Sequence, residues 1–254
     1  MKVLKIILKT LDSALTLLIS VVMLTIGGYS LYAIWDNAQI YAAVDQVQSQ
    51  LLKLKPDEDS KDNGESFEKL RKINPDVCAW LTLDNTKIDY PILKGSDNLT
   101  YINKDVYGNF AMAGSVFLDS GCDSSLCQHY SLLYGHHMEN HKMFGDLDLY
   151  KNQTFFNENR TGTLYLPDRS LKLEILACFL LPADDENIFE PQRWNGQEKG
   201  LLDFAEKNAV YIHKDLAEKI ADKEMQTQFL AMSTCSSEFT DARTVILAVI
   251  SDEG

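Results

Sequence analysis

The chain has 254 residues, of which 45% are hydrophobic and 24% charged, and it carries a formal net charge of −13. These values are typical of a globular protein with one sizeable domain and short appendages. They argue against a nucleic-acid partner, because phosphate binding depends on clustered Lys and Arg.

The first element in chain order is an uncharged segment from Ala14 to Trp35. It is long enough to span a bilayer. It is also longer than the apolar region of a cleaved signal peptide, and no small-x-small cleavage site follows it, so we predict an uncleaved anchor, with a cleaved signal peptide as the alternative. Lys2, Lys5 and Lys9 precede it. The positive-inside rule therefore predicts a single-pass protein of the cell membrane with a cytoplasmic N-terminus and an extracellular main domain.

The pattern predicts four regions along the chain, which are listed here by residue number. Residues 1–11 form a cytoplasmic tail, 12–36 a transmembrane anchor, 37–65 a helical stalk and linker, and 66–254 the main domain. Within the stalk, apolar residues at helical spacing precede Pro56 and a charged linker. SFEKLRKINP then predicts a short helix, capped by Ser66 and ended before Pro75.

Short apolar runs bounded by turn residues dominate the rest of the chain and predict eight strands. They are VCAWLTL, KIDYPIL, GSVFLDS, YSLLYGH, GTLYLP, LKLEILACFL, QFLAMSTC and RTVILAVI. With few helices between them, they predict a mainly β fold, a closed or nearly closed barrel. The segment from Pro182 to Thr227 is an insertion too long for a bare loop, with helices predicted in GLLDFAEKNAVY and KDLAEKIADKE.

Cys235 ends the strand QFLAMSTC, and Arg243 opens the strand RTVILAVI. If the two strands pair as a hairpin, both side chains lie near its loop end. A cysteine at such a place is either a core thiol or a nucleophile, and a nucleophilic thiolate needs a base or a cation beside it. Arg243 can supply a donor that stabilises an oxyanion.

Three of the five histidines lie in YSLLYGHHMENHKMFGDL, and His136 follows the predicted strand directly after Gly135. Strand exits commonly carry active-site residues. His137 and His141 are four residues apart, but Met138 stands where an HExxH zinc motif needs Glu, and no third ligand is evident. We therefore expect no metal site and no cofactor, and we interpret His137 and His141 as loop residues.

The sequence resembles the class B sortases from about Ser66 to its C-terminus, roughly three quarters of the chain. INPDVCAWLTLDNTKIDYPILKGSDN is similar to the first two strands of that family, YGHHMENHKMFGDL to its histidine motif and STCSSEFTDAR to its cysteine–arginine motif. The N-terminal anchor and the helical insertion before the cysteine strand also fit the family. The resemblance implies an eight-stranded sortase barrel with N-terminal helices and a membrane anchor.

The resemblance also implies functional residues. Cys235 is expected to be the nucleophile, His136 the general acid and base, and Arg243 the donor to the substrate carbonyl. Asn98, Ile102, Ser233 and Ser236 match positions that can bind substrate, and ordinary turn and strand chemistry explains them equally well. In the insertion, Ile188 and Phe189 are apolar candidates for another wall of the groove. Cys122 and Cys127 either bridge a loop or are free, since sequence does not give their geometry.

The implied reaction is a cysteine transpeptidation. The enzyme cleaves the C-terminal sorting signal of a secreted protein after Thr, forms a thioester, and transfers the protein to an amine of a lipid-linked peptidoglycan precursor. Three alternatives remain at this point. One is a sortase that polymerises pilins onto a pilin lysine, another is a hydrolase in which water resolves the thioester, and the third is a non-catalytic membrane-tethered binding module.

Overall fold

The computed structural model describes residues 2–57, 62–194, 196–221, 227–235 and 241–251. The chain forms two compact units, residues 1–45 and 46–254. Helix α1 (Lys2–Leu51) forms the first unit as far as Asp45, and its residues from Gln46 onward are counted with the second unit. A short 3-10 turn at Leu52–Leu54 follows α1. In the described part of the chain, this N-terminal helix is the one long and apolar enough to span a membrane.

The second unit is built on β-strands, and the eight predicted strands are all present. The strands are β1 (Val77–Leu83), β2 (Asp89–Leu93), β3 (Val116–Leu118), β4 (Tyr130–Tyr134), β5 (His137–Met138), β6 (Lys142–Met143), β7 (Thr161–Leu166), β8 (Arg169–Pro182), β9 (Tyr211–Ile212), β10 (Gln228–Cys235) and β11 (Ala242–Ser251). The three further strands, β5, β6 and β9, have two residues each.

Eight of the strands close into a barrel in the order β11-β10-β4-β3-β2-β1-β7-β8, and β8 pairs with β11 to complete the ring. This confirms the predicted fold class. Closure leaves the eight strands without an open edge. β9 pairs with Ala177 and Cys178 of β8 and is not part of the ring. β5 and β6 form a separate hairpin directly after β4.

Helices lie before the barrel and in its connections. They are α2 (Gly64–Ile73), α3 (Gln153–Glu158), α4 (Glu186–Phe189), α5 (Glu198–Asn208) and α6 (Lys214–Ala221), with 3-10 turns at Gly145–Lys151 and Pro191–Trp194. Phe67 and Leu70 of α2 pack with Trp80 and Tyr165 of the barrel in one buried apolar cluster. The apolar face of α2 therefore covers one wall of the barrel.

The predicted cap of α2 is wrong. The helix begins at Gly64, two residues before Ser66, which lies inside its first turn. Asp62 replaces the expected cap, because its Oδ1 accepts a hydrogen bond from the Gly64 N–H at 2.9 Å. The Asn63 side chain instead donates to the Leu166 carbonyl at 2.9 Å, which ties the helix start to β7.

The insertion between β8 and β10 contains the two predicted helices as α5 and α6, although α5 ends at Asn208 and Tyr211 belongs to β9. Tyr211 pairs with Cys178 of β8, so a short strand holds the insertion against the barrel. A further helix, α4, directly follows the end of β8. The first part of the insertion therefore lies at the end of β8.

Candidate active site

Three neighbouring strands bring the predicted catalytic positions to one edge of the barrel. β10 runs parallel to β4, with Ser233 opposite Tyr134. Two residues farther along each strand, Cys235 ends β10 and His136 follows β4. β11 runs antiparallel to β10, with Arg243 directly opposite Cys235. The predicted hairpin is therefore confirmed, and the backbone places the three positions together. The side chain of Cys235 lies outside what the structure describes.

His136 is half-buried at the exit of β4, where the sequence predicts it. Its Nε2 lies 2.7 Å from the Ile102 carbonyl oxygen, and its own carbonyl accepts from the Phe144 N–H at 3.0 Å. Gly135 before it donates its N–H to the Ser233 carbonyl at 3.2 Å. A Cβ on Gly135 would come within 2.7 Å of the Phe144 ring, so a glycine is needed for this close packing. The glycine of the motif YGH is therefore explained by a steric requirement.

Arg243 is half-buried at the start of β11. Its Nη1 donates to the neighbouring Ala242 carbonyl at 3.0 Å. A guanidinium carries five N–H donors, so this contact leaves most of them available to a ligand. The side chain lines the cavity described next. Its position therefore allows it to donate to a carbonyl or an oxyanion bound there.

A cavity of about 270 Å³ opens beside these strand ends. Its described lining residues are Asn98, Ile102, Phe117, Tyr134, Gly135, His136, Ala183, Phe189, Ser233, Thr234 and Arg243. Of the predicted substrate-binding residues, Asn98, Ile102 and Ser233 lie here, and Ser236 lies outside the described residues.

The first part of the insertion forms one wall of the cavity. Phe189 of α4 stacks on Tyr134, with ring centroids 6.3 Å apart. Tyr134 also lies 5.3 Å from the ring of Phe117. Ile188 is fully buried instead, and its carbonyl accepts from the Tyr130 hydroxyl at 2.9 Å. Of the two apolar candidates in the insertion, the structure therefore brings Phe189 to the cavity and places Ile188 in the core.

A buried carboxylate, Asp119, holds two of the cavity side chains. Its Oδ2 accepts from Asn98 Nδ2 at 2.8 Å and from the Tyr134 hydroxyl at 3.0 Å. Burial and the nearby Asp119 carboxylate raise the pKa of Tyr134, which keeps its hydroxyl a donor. The Ser120 N–H donates to Asn98 Oδ1 at 2.7 Å, so both ends of that amide are fixed. One Nδ2 hydrogen and one Oδ1 lone pair are then left for a ligand.

Two hydroxyls of β10 have no hydrogen-bond partner among the described residues, and of the two residues Ser233 shares the face of Tyr134, which lines the cavity. Ser233 Oγ and Thr234 Oγ1 are both buried and both lack a hydrogen bond there. A buried hydroxyl without a hydrogen bond is costly. A bound polar chain such as a peptide can supply a partner for Ser233, which supports a ligand-binding role for this end of β10.

The other histidines of the motif contact carboxylates. His137 Nε2 lies 3.1 Å from Asp148 Oδ2, and His141 Nδ1 lies 2.5 Å from Asp146 Oδ1. No group of three or more His, Cys, Asp or Glu side chains that could hold a metal ion occurs among the described residues. The structure therefore presents these two histidines as partners of acidic residues in the turn that follows.

Cys122 and Cys127 are both free thiols, the first buried and the second exposed. Burial raises the pKa of Cys122 to about 11, so this thiol is protonated at neutral pH. Of the two possibilities that the sequence leaves open for this loop, the structure shows the reduced one.

The sequence did not predict several residues that line the cavity or hold its side chains in place. Tyr134 stands one residue before the glycine of YGH, and its period-2 position on β4 is the signal that could have found it. Asp119 ends the strand pattern GSVFLDS, where a single acidic residue gives no warning of a buried role. The cavity is also lined by Ala183, Phe117 and Thr234. These residues come from distant parts of the chain that meet when the barrel closes, and no local sequence pattern predicts that meeting.

Comparisons with known proteins agree with this architecture. No family model matches the chain. Sortase B of Staphylococcus aureus (strain NCTC 8325 / PS 47) is 27% identical over 235 residues, covering 91% of this chain and 93% of that protein. A mutant form of Clostridium perfringens sortase B is similar with a TM-score of 0.70 and 27% identity, covering 80% of this chain and 96% of that one.

A third relative is a class B sortase of Streptococcus pyogenes, which is involved in pilus biogenesis. Its crystal structure matches with a TM-score of 0.65 and 34% identity, and the match covers 73% of this chain and 97% of that one. The similarity thus extends over nearly the whole of that relative and includes the closed barrel. This chain belongs to the class B sortases, a family of cysteine transpeptidases.

Proposed function

We propose that this protein cleaves a C-terminal sorting signal of secreted proteins after Thr and transfers the new end to an amine of a lipid-linked peptidoglycan precursor. Cys235, His136 and Arg243 are its catalytic residues in this proposal. The observation that supports it most is the register of β4, β10 and β11, which brings the three positions to one edge beside the cavity of about 270 Å³.

In the first half-reaction, the Cys235 thiolate attacks the Thr carbonyl carbon and a C–S bond forms. The carbonyl oxygen becomes an oxyanion, to which Arg243 donates hydrogen bonds. When the tetrahedral intermediate collapses, the C–N bond breaks and His136 gives a proton to the departing amine. The C-terminal fragment of the signal leaves, and the rest of the secreted protein stays on the enzyme as a thioester.

In the second half-reaction, the acceptor amine attacks the thioester carbonyl, and His136 takes the proton that this amine loses. The C–S bond breaks and a new amide bond forms. Because one amide is exchanged for another, the sequence of steps needs no ATP and no cofactor. The same oxyanion forms at the same place, so Arg243 serves both steps.

The cavity supports the peptide part of the proposal. Its walls combine aromatic rings with few polar groups, as ligand sites commonly do. Asn98, with its amide fixed by Asp119, and Ser233, whose hydroxyl has no partner among the described residues, can bind the backbone of an extended signal. Ile102 supplies apolar contact. Ser236, which lies outside the described residues, has the same proposed role.

The N-terminal helix supports a location in the cell membrane. We propose that residues 1–11 are a cytoplasmic tail, 12–36 the transmembrane anchor, 37–65 a stalk and linker and 66–254 the extracellular catalytic domain. The three N-terminal lysines and the uncharged span are the basis for this topology. A lipid-linked acceptor is held in the same membrane, which agrees with an anchored enzyme.

A second candidate differs in the acceptor. The Streptococcus pyogenes relative that is 34% identical is involved in pilus biogenesis. This favours, as the alternative, a sortase that polymerises pilins by using a pilin lysine as the acceptor amine. Both candidates require the same three catalytic residues, so only acceptor chemistry separates them.

The test uses full-length protein in detergent and a library of internally quenched peptides with a fixed Thr. We expect cleavage by the wild-type protein and none by Cys235→Ala. Adding a peptidoglycan-type branched amine or a lysine peptide from a pilin should give a ligated product, and the preferred amine identifies the acceptor. Cleavage without any ligated product would indicate a hydrolase, and no cleavage of any member would contradict the proposal.

A further inference from the structure

Asp148 makes hydrogen bonds to the residues that directly follow two of the proposed catalytic positions. It lies in the 3-10 turn Gly145–Lys151, after the β5–β6 hairpin. Its Oδ1 accepts from the Thr244 hydroxyl at 2.8 Å, and Thr244 follows Arg243 on β11. Its Oδ2 lies 3.1 Å from His137 Nε2, and His137 follows His136. One carboxylate therefore connects β11, which carries Arg243, with the loop after β4 (residues 135–144), here called the histidine loop.

The charge at Asp148 makes these contacts strong. Burial acts to raise its pKa, but hydrogen bonds from His137, Lys151 and Thr244 together lower the pKa to about 2. The hydrogen bond to Asp148 raises the pKa of His137, with smaller influences from burial, Lys151 and Glu139. Asp148 is therefore ionised throughout the neutral range. Hydrogen bonds to an ionised acceptor are roughly twice as strong as neutral ones.

The loop after β4 is tied to neighbouring strands as well, because the Gly135 N–H donates to the Ser233 carbonyl at 3.2 Å and the Met143 N–H donates to the Tyr90 hydroxyl at 3.0 Å. The loop after β4 is held by the Phe144 N–H on the His136 carbonyl and by the pairing of His137 with Met143 in the β5–β6 hairpin. Both contacts lie within the loop itself. Thr244 is fully buried on β11, so its hydroxyl is a fixed point of the barrel. Asp148 thus joins a locally organised loop to a rigid strand.

We propose that Asp148 is a positioning residue that fixes His136 relative to Arg243 during the transpeptidation. The inference rests on the proposed function. Asp148 is not among the described residues that line the cavity, so it acts on the arrangement of the catalytic groups and not on the peptide. A misplacement of about 1 Å can cost a catalytic group about a hundredfold in rate. The loss of this carboxylate should consequently appear in kcat and leave KM in place.

The experiment measures kcat and KM of full-length variants in detergent, with the peptide that the wild-type protein cleaves fastest from the quenched library. Asp148→Ala and the nearly isosteric Thr244→Val should each lower kcat about tenfold, because a displacement of His136 by a fraction of 1 Å is enough for a loss of this size. KM should stay within about twofold. His137→Ala should behave in the same way, whereas His137→Gln keeps an N–H donor for Asp148 and should retain most of the wild-type kcat.

A matched control is Asp215→Ala, which removes another ion-paired carboxylate. Asp215 pairs with Arg160 at 2.9 Å, and Arg160 keeps Glu174 as a second partner. Glu174 lies opposite Val249, six residues along β11 from Arg243 and hence about 20 Å away. Asp215→Ala should therefore leave kcat unchanged.

The double variant His137→Ala/Asp148→Ala should be no slower than Asp148→Ala alone, because both changes break the same contact. A wild-type kcat in Asp148→Ala, a loss confined to KM, or effects that multiply in the double variant would each overturn the inference alone. If the wild-type protein cleaves no peptide, the proposed function fails and this inference fails with it.

Discussion

At the scale of single residues, the proposed role of Arg243 depends on the several N–H donors of its guanidinium. It opens β11 opposite Cys235 and lines the cavity. Replacing it by Lys keeps the charge and removes the planar arrangement of donors. We expect Arg243→Lys to lower kcat/KM at least about a hundredfold, as the loss of an oxyanion donor does. Peptide cleavage assays check this, with the half-buried Arg169→Lys as control. Near-normal turnover would rule out the oxyanion role.

Asp119 is the second residue with a sharp expectation. Its Oδ2 accepts from both Asn98 and Tyr134 in a buried site. Asp119→Asn removes the charge and places one NH₂ group against neighbouring donors, and each unsatisfied buried group costs about 1–3 kcal/mol. We expect the free energy of unfolding to fall by about 2 kcal/mol or more. Chemical denaturation measures it, with the exposed Asp215→Asn as control. A change below about 0.5 kcal/mol, the size of an ordinary surface substitution, would contradict this role.

At the scale of elements, the exit of β4 depends on close packing between Gly135 and Phe144. A methyl group at Gly135 meets the Phe144 ring at 2.7 Å, and Phe144 is fully buried. Because the Phe144 N–H binds the His136 carbonyl, moving the ring also moves the histidine loop. We expect Gly135→Ala to lower kcat/KM about tenfold through this displacement.

The control for Gly135→Ala is Gly64→Ala in α2. A methyl group at Gly64 meets only the side chain of Asp62, so activity should stay at the wild-type value. If Gly135→Ala is as active as Gly64→Ala, the packing of β4 against Phe144 does not position the histidine loop.

Local patterns were sufficient to predict the elements that carry the site, but not their arrangement. Apolar runs between turn residues predicted all eight barrel strands, and YGH placed His136 at a strand exit. The parallel pairing of β4 with β10 joins segments about a hundred residues apart, and nothing in either segment encodes it. Tyr134, Asp119 and Asp148 were missed for the same reason, since their partners come from distant strands and turns. The cap at Ser66 failed because Asp62 satisfies the helix start instead.

At the scale of the whole molecule, titration of Asp148 links stability to pH. Its pKa falls from the ordinary 3.8 to about 2 on folding. The stabilisation is therefore complete above pH 3.8 and is lost as the pH falls through about 2. At 1.36 kcal/mol per pKa unit it amounts to roughly 2 kcal/mol. Thermal unfolding between pH 5 and 2 should show a steeper loss in the wild-type protein than in Asp148→Asn. Parallel curves for the two proteins would contradict this linkage.

His137 gives the opposite dependence on the alkaline side. Its pKa is raised above 6.5 on folding by the hydrogen bond to Asp148. Its contribution is therefore fully present below pH 6.5 and is lost as the pH rises through the folded-state pKa. His137→Gln, which does not titrate, should remove this part of the pH dependence of thermal unfolding. An unchanged curve would show that His137 does not contribute.

The proposed mechanism requires that Cys235 carries the acyl group of the substrate as a thioester. Intact-mass spectrometry of full-length protein mixed with the cleaved peptide measures this without assuming an acceptor. We predict an adduct whose mass equals the N-terminal peptide fragment through Thr, located on Cys235, absent in Cys235→Ala and released when an amine is added. An adduct on another residue, or peptide cleavage by Cys235→Ala, would contradict the mechanism.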